Sequence, residues 1–181
     1  MGGTQDVTPV DEIGREKALS VVVVDRLPLV AAGVSLTLAG SYDLECLHAS
    51  SNLQRALAAI RSGAPDVVLI DLELPDVQPA TLLASVRAES ADSRVLFLAP
   101  PLRGDALLTL IEAGAVGVVE RGSSPERILD AIRAAGGGRM VASAAIEVST
   151  GDAEASGAES GLSTGVDSDL PESRSEGAER R

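Results

Sequence analysis

The feature that most narrows what this chain can fold into is Val21-Val22-Val23-Val24, an unbroken β-branched run closed by Asp25. A strand with one wet face alternates apolar and polar residues; a continuous run buries both faces, as in a parallel sheet covered by helices on each side. Short apolar runs of this kind lie at residues 19–25, 44–49, 66–71, 94–99 and 116–120, and helical patterns separate them. Leu53, Ala56, Leu57 and Ile60 recur at helical spacing, with Ser51 and Gln54 placed as a capping box and Gly63 as the stop. Ser124-Pro125-Glu126 opens another helix, lined by Ile128, Leu129 and Ile132 and ended by Gly136. Gly40 and Gly114 close helices over 28–39 and 104–113, and Leu82, Leu83 and Val86 mark one over 79–89. Five β-α units in succession predict right-handed crossovers and a doubly wound, five-stranded parallel α/β sheet, read here with the strand order 2-1-3-4-5.

The folded unit expected from this pattern is 18–148. Residues 1–17 are polar and aperiodic. Residues 149–181 are Ser, Gly, Ala and acid, with Leu162, Val166 and Leu170 too few to offset the entropy of ordering them, so both flanks are expected to be disordered. With a net charge of −12, one Tyr and one Phe, the chain offers neither a basic phosphate-binding face nor a base-stacking platform, and direct nucleic-acid binding is not expected. A single cysteine, Cys46, removes internal disulfides and Cys-based zinc sites, and a single histidine, His48, removes the usual His clusters, so metalloenzyme and Ser-His readings lose most of their support. The two lie two residues apart and are read as sharing a face of the second strand, as a packed pair. No apolar run reaches the roughly 20 residues of a membrane span, and the start lacks an export signal; a cytoplasmic location is the expectation.

Open parallel sheets place their sites at the carboxyl ends of the strands. There, Asp25 is followed by Arg26-Leu27-Pro28 and Asp71 by Leu72-Glu73-Leu74-Pro75, and strand order 2-1-3-4-5 makes the two acids neighbours on one rim, within reach of a shared cation. No Gly-rich phosphate loop follows the first strand, which excludes the dinucleotide fingerprint and the P-loop, and Arg26-Leu27-Pro28 is poor for a flavin phosphate.

The stretches VVVVDRLPLVAAGV, DVVLIDLELPD and EAGAVGVVERGSSPERILDAIRAAGGG resemble the receiver domain of bacterial response regulators, particularly those preceding a helix-turn-helix DNA-binding module; the resemblance covers about residues 18–145. It implies a flavodoxin-like (β/α)5 fold and a signalling module rather than an enzyme. It also implies Asp71 as the acceptor of a phosphoryl group from a histidine kinase. The carboxylate and the phosphoryl donor repel each other, so that chemistry needs a divalent cation. The resemblance assigns magnesium to Asp25, Asp71 and the backbone carbonyl of Glu73.

Several positions depart from the family pattern. Arg26 stands where the family has a second acid, which weakens magnesium binding; its guanidinium is placed to clamp Asp71 where the ion would lie. Ala99 replaces the hydroxyl at the end of the fourth strand, Val118 the switching aromatic, and Arg121 the lysine. For Asp71 the plain alternative is a strand-end acid capping its turn; for Arg26 and Arg121, a solvated surface charge. Leu107, Leu108, Leu110 and Ile111 fall on the family's usual output face, though most are expected in the core. The sequence therefore predicts an atypical receiver, with weak or absent magnesium-dependent phosphorylation, acting through contacts with a histidine kinase, another regulator or a second copy. The alternative is a phosphoacceptor receiver using Asp71 in a phosphorelay that controls transcription through a DNA-binding module absent from this chain. A phosphatase of the haloacid dehalogenase type, which needs an acid two residues beyond Asp25, meets Leu27 instead.

Overall fold

The computed structural model describes residues 17–142; the flanks read as disordered lie, Lys17 apart, outside the described residues, as do residues 143–148. Five β-α units follow one another: β1 (Leu19–Val24), α1 (Pro28–Ala39), β2 (Leu44–Ser50), α2 (Leu53–Gly63), β3 (Val67–Asp71), α3 (Pro79–Glu89), β4 (Arg94–Ala99), α4 (Gly104–Glu112), β5 (Gly117–Glu120) and α5 (Pro125–Gly136). The strands form one parallel sheet in the order β2-β1-β3-β4-β5.

The valine run does what its composition demands. Val22 and Val24 face a core that includes Ala56, Leu57 and Ile60 of α2, Leu82, Leu83 and Val86 of α3 and Leu110 of α4. Val21 and Val23 face the opposite core, built with Ala31, Val34 and Leu38 of α1 and Ala131, Ile132 and Ala135 of α5. Each large aliphatic side chain so buried contributes roughly 1.5–3 kcal/mol, which is what fixes the register of the three central strands.

Two local expectations are corrected. The cap of α2 is Asn52, whose side chain accepts from Arg55 N at 3.0 Å, rather than Ser51 with Gln54. The helix ends at Gly63 as expected, and it is Ala64 after it that takes the left-handed conformation, at φ 40°. The start of α5 is as expected: the Ser124 side chain accepts from Arg127 N at 3.4 Å, with Pro125 in the first turn. Cys46 and His48 do not pair on one face. The register with β1 slips at Leu47, so that Cys46 stands opposite Val21 and His48 opposite Val22, whose side chains enter opposite cores. On α4, Leu110 is buried and Leu107 packs against the first core, while Leu108 is exposed.

Candidate functional site

The site is built by three strand ends. Because β1 and β3 are hydrogen-bonded neighbours, the residues that terminate them, Asp25 and Asp71, arrive at the same rim, at 1% and 0% exposure. Buried carboxylates need partners. Asp25 Oδ1 accepts from Leu27 N at 2.8 Å, which shapes the entry to α1. Asp71 Oδ1 accepts from Glu73 N at 3.0 Å and Asp71 Oδ2 from Arg26 N at 3.3 Å, so each carboxylate also organises its own loop.

The remaining valences are taken by two guanidiniums. Arg121, one residue past β5, is drawn in by its backbone N–H, which donates to Ala99 O at 2.5 Å. Its Nη1 donates to Asp25 Oδ2 at 3.0 Å, and its Nη2 lies 2.5 Å from Asp71 Oδ1, an ion pair off the hydrogen-bond direction. Burial pulls the Arg121 pKa down, but Asp25 and then Asp71 outweigh it and the net shift is upward, so the cation is held charged. Arg26 comes from the other side. Its Nε sits 3.5 Å from Asp71 Oδ2, its Nη1 donates to the Glu73 carbonyl at 3.2 Å and its Nη2 to Glu73 Oε2 at 2.7 Å.

The expected two-toothed clamp of Arg26 on Asp71 is therefore corrected. The fork closes on Glu73, ties the β1–α1 loop to the β3–α3 loop, and touches Asp71 only through Nε and the backbone. The sequence offered a signal for this, since opposite charges follow two neighbouring strands at the rim, but nothing in one dimension said that Glu73 would present carbonyl and carboxylate together. Arg121 reaches into the acidic rim, and the plain surface reading falls for it. Ala99 is fully buried at the end of β4 with no hydroxyl to offer, and Val118 is buried in the first core beside it.

The oxygens expected to hold magnesium are already engaged. Asp25 Oδ2, both oxygens of Asp71 and the Glu73 carbonyl each face a guanidinium nitrogen. Among the described residues no group of three His, Cys, Asp or Glu side chains is disposed to hold a metal ion. This arrangement does not fit a bound divalent cation.

The family model for the response regulator receiver domain matches residues 21–133. The chain belongs to that family. Among curated relatives, the receiver is 24% identical over 134 residues to the nitrate/nitrite response regulator NarL of Escherichia coli K12, covering 74% of this chain and 62% of the relative. It is 27% identical over 126 residues to the response regulator UvrY of the same strain, covering 69% and 58%. The chain thus spans about three fifths of the length of these relatives. Among solved structures, the signal receiver domain of NarL from Mycobacterium tuberculosis superposes with TM-score 0.62 at 28% identity, over 68% of this chain and 99% of that one. A LuxR-family response regulator from Aurantimonas sp. gives TM-score 0.62 at 25% identity, over 70% and 89%.

Proposed function

We propose that this receiver is an atypical one, a signalling module that works without a bound divalent cation and passes its signal through protein contacts. The observation that carries the reading is that two arginines occupy every oxygen a cation would use. Arg26 and Arg121 supply internally the positive charge that the buried pair Asp25 and Asp71 requires, and so compete with an ion for the same atoms. Ala99 adds to the case, because a phosphoryl group on Asp71 would find no hydroxyl at the end of β4. Its partners are then a histidine kinase, another regulator or a second copy, met in the cytoplasm; no helix among the described residues is long and apolar enough to cross a membrane.

The test is incubation with magnesium and either acetyl phosphate or beryllofluoride, read by intact mass and amide NMR. The native chain should show neither adduct nor spectral change. Arg26→Asp combined with Ala99→Thr should gain magnesium affinity and a response, and adding Asp71→Asn should abolish it. A native response that Asp71→Asn removes would instead establish an ordinary phosphoacceptor, the reading in which Asp71 serves a phosphorelay controlling transcription.

A further inference from the structure

β5 is the shortest of the five strands and lies at the edge of the sheet, with β4 on one side. Its other side is met by chain that has just left α5. Gly137 and Gly138 turn the backbone, Gly138 at φ +72° in the region that favours glycine, and the Arg139 N–H donates back to Ala134 O at 2.9 Å. Val141 then pairs in parallel with Gly117. The Val141 carbonyl accepts from Val118 N at 3.0 Å, its N–H donates to Val116 O at 3.0 Å, and its side chain packs against the second core.

Position 117 is the reason this approach is possible. A Cβ there would run into the Val141 carbonyl group and its Cβ, so only glycine lets the second backbone sit down on the edge. The contact also covers polar edge groups that would otherwise offer themselves to a foreign strand. Four residues further along, roughly 13 Å at 3.3 Å per residue, the same strand delivers Arg121 to Asp25 and Asp71. One short strand therefore carries the edge contact at one end and the pocket contact at the other, and its ladder partners are β4 and Val141.

We infer that residues 139–142 form a strap on the β5 edge, and that seating of the strap and seating of Arg121 in the pocket are coupled through β5. The coupling is reciprocal, so displacing Arg121 loosens the strap and lifting the strap loosens Arg121. Residues 139–142 themselves then report on the state of the pocket. This inference holds whether or not Asp71 accepts a phosphoryl group.

The experiment is residue-resolved amide exchange on the full chain, with carboxyl and guanidinium NMR of Asp25, Asp71 and Arg121. Gly117→Ala and, independently, Val141→Pro should each speed exchange of the Val118 amide at least tenfold, leave the Val68 amide in β3 unchanged, and shift the Arg121, Asp25 and Asp71 resonances. In the other direction, Arg121→Gln should speed Val118 exchange several-fold. Unchanged Val118 exchange in both strap variants would overturn the strap. Faster Val118 exchange with unmoved pocket resonances would overturn the coupling. Equal acceleration at Val68 would show that the sheet opens as a whole, which overturns a strap able to move by itself.

Discussion

Replacing Arg121 by alanine should be the costliest single change at the rim, and its size follows from the geometry. The substitution strips Asp25 and Asp71, at 1% and 0% exposure, of the guanidinium that touches both. Two unit charges about 4 Å apart attract by about 4 kcal/mol at an effective dielectric of about 20, and removing one partner from a buried pair typically costs about 3–5 kcal/mol. Two features pull the value to the lower end. The Arg121 side chain retains 22% exposure and its Nε finds no acceptor among the described residues, so part of its own desolvation is not returned. Arg26 also stays within 3.5 Å of Asp71 and keeps a share of the neutralisation. The expected loss is about 3 kcal/mol, or about 12 °C in Tm for a domain of this size at roughly 4 °C per kcal/mol. Urea titration at pH 7 measures it, with Arg121→Lys as the control that keeps the charge and recovers a large part. A loss below about 1 kcal/mol, the scale of a solvent-exposed pair, would show that solvent already does the work assigned to Arg121.

Other consequences can be checked on the same footing. The Arg133 hydrogen bond holds the Asp43 carboxyl below its usual range, against a smaller opposing effect of burial. A depressed folded pKa gives stability that is present above the unfolded value and lost as pH falls through the folded one, so Asp43→Asn should flatten the acid side of the stability–pH curve below about pH 4 and leave its neutral-pH slope alone. Asn52→Ala should cost about 1 kcal/mol by leaving Arg55 N without its cap, whereas Ser51→Ala should be near neutral; urea midpoints distinguish the two. Phe97→Ala, at the fully buried phenylalanine of β4, should cost about 3–5 kcal/mol in the same assay.

The sheet was legible because its signals are continuous and redundant. The valine run needed two covered faces, and four of the five strand ends lay at or beside a Gly, Pro or acid. What one dimension concealed was local competition. Ser51 and Asn52 are both good caps, and residue type alone does not say which of the two the backbone places at the helix start. Gly63 is a natural stop and ends the helix, yet Ala64 after it, not the glycine, carries the left-handed turn. The slip at Leu47 sent Cys46 and His48 to different faces, and a bulge has no composition of its own. At the rim the pair Asp25 and Asp71 was readable from strand ends, and Arg121 from its place after β5. The Arg26–Glu73 fork was not, because it joins two loops that are far apart in sequence and neither loop names its partner. Val141 lies past the last recognisable helix, where no periodicity points to it.

The two arginines are not equivalent, and the difference bears on which of them a cation would have to displace. Arg121 is anchored by its own strand and bridges the far oxygens of Asp25 and Asp71. Arg26 lies on the open side, at 36% exposure, and covers Asp71 Oδ2 and the Glu73 carbonyl, adjacent oxygens at the mouth of the site. Three carboxylates against two guanidiniums leave one net negative charge; removing Arg26 leaves two and frees those oxygens together, while removing Arg121 leaves the mouth still blocked. Magnesium should therefore stabilise Arg26→Ala but neither the native chain nor Arg121→Ala. At a concentration ten times the dissociation constant the gain is about 1.4 kcal/mol, a displacement of Tm by several degrees that thermal melts with and without the ion will detect. If magnesium raised the melting temperature of Arg121→Ala and not of Arg26→Ala, Arg121 would be the residue that keeps the ion out, and Arg26 would be reduced to a clasp between two loops.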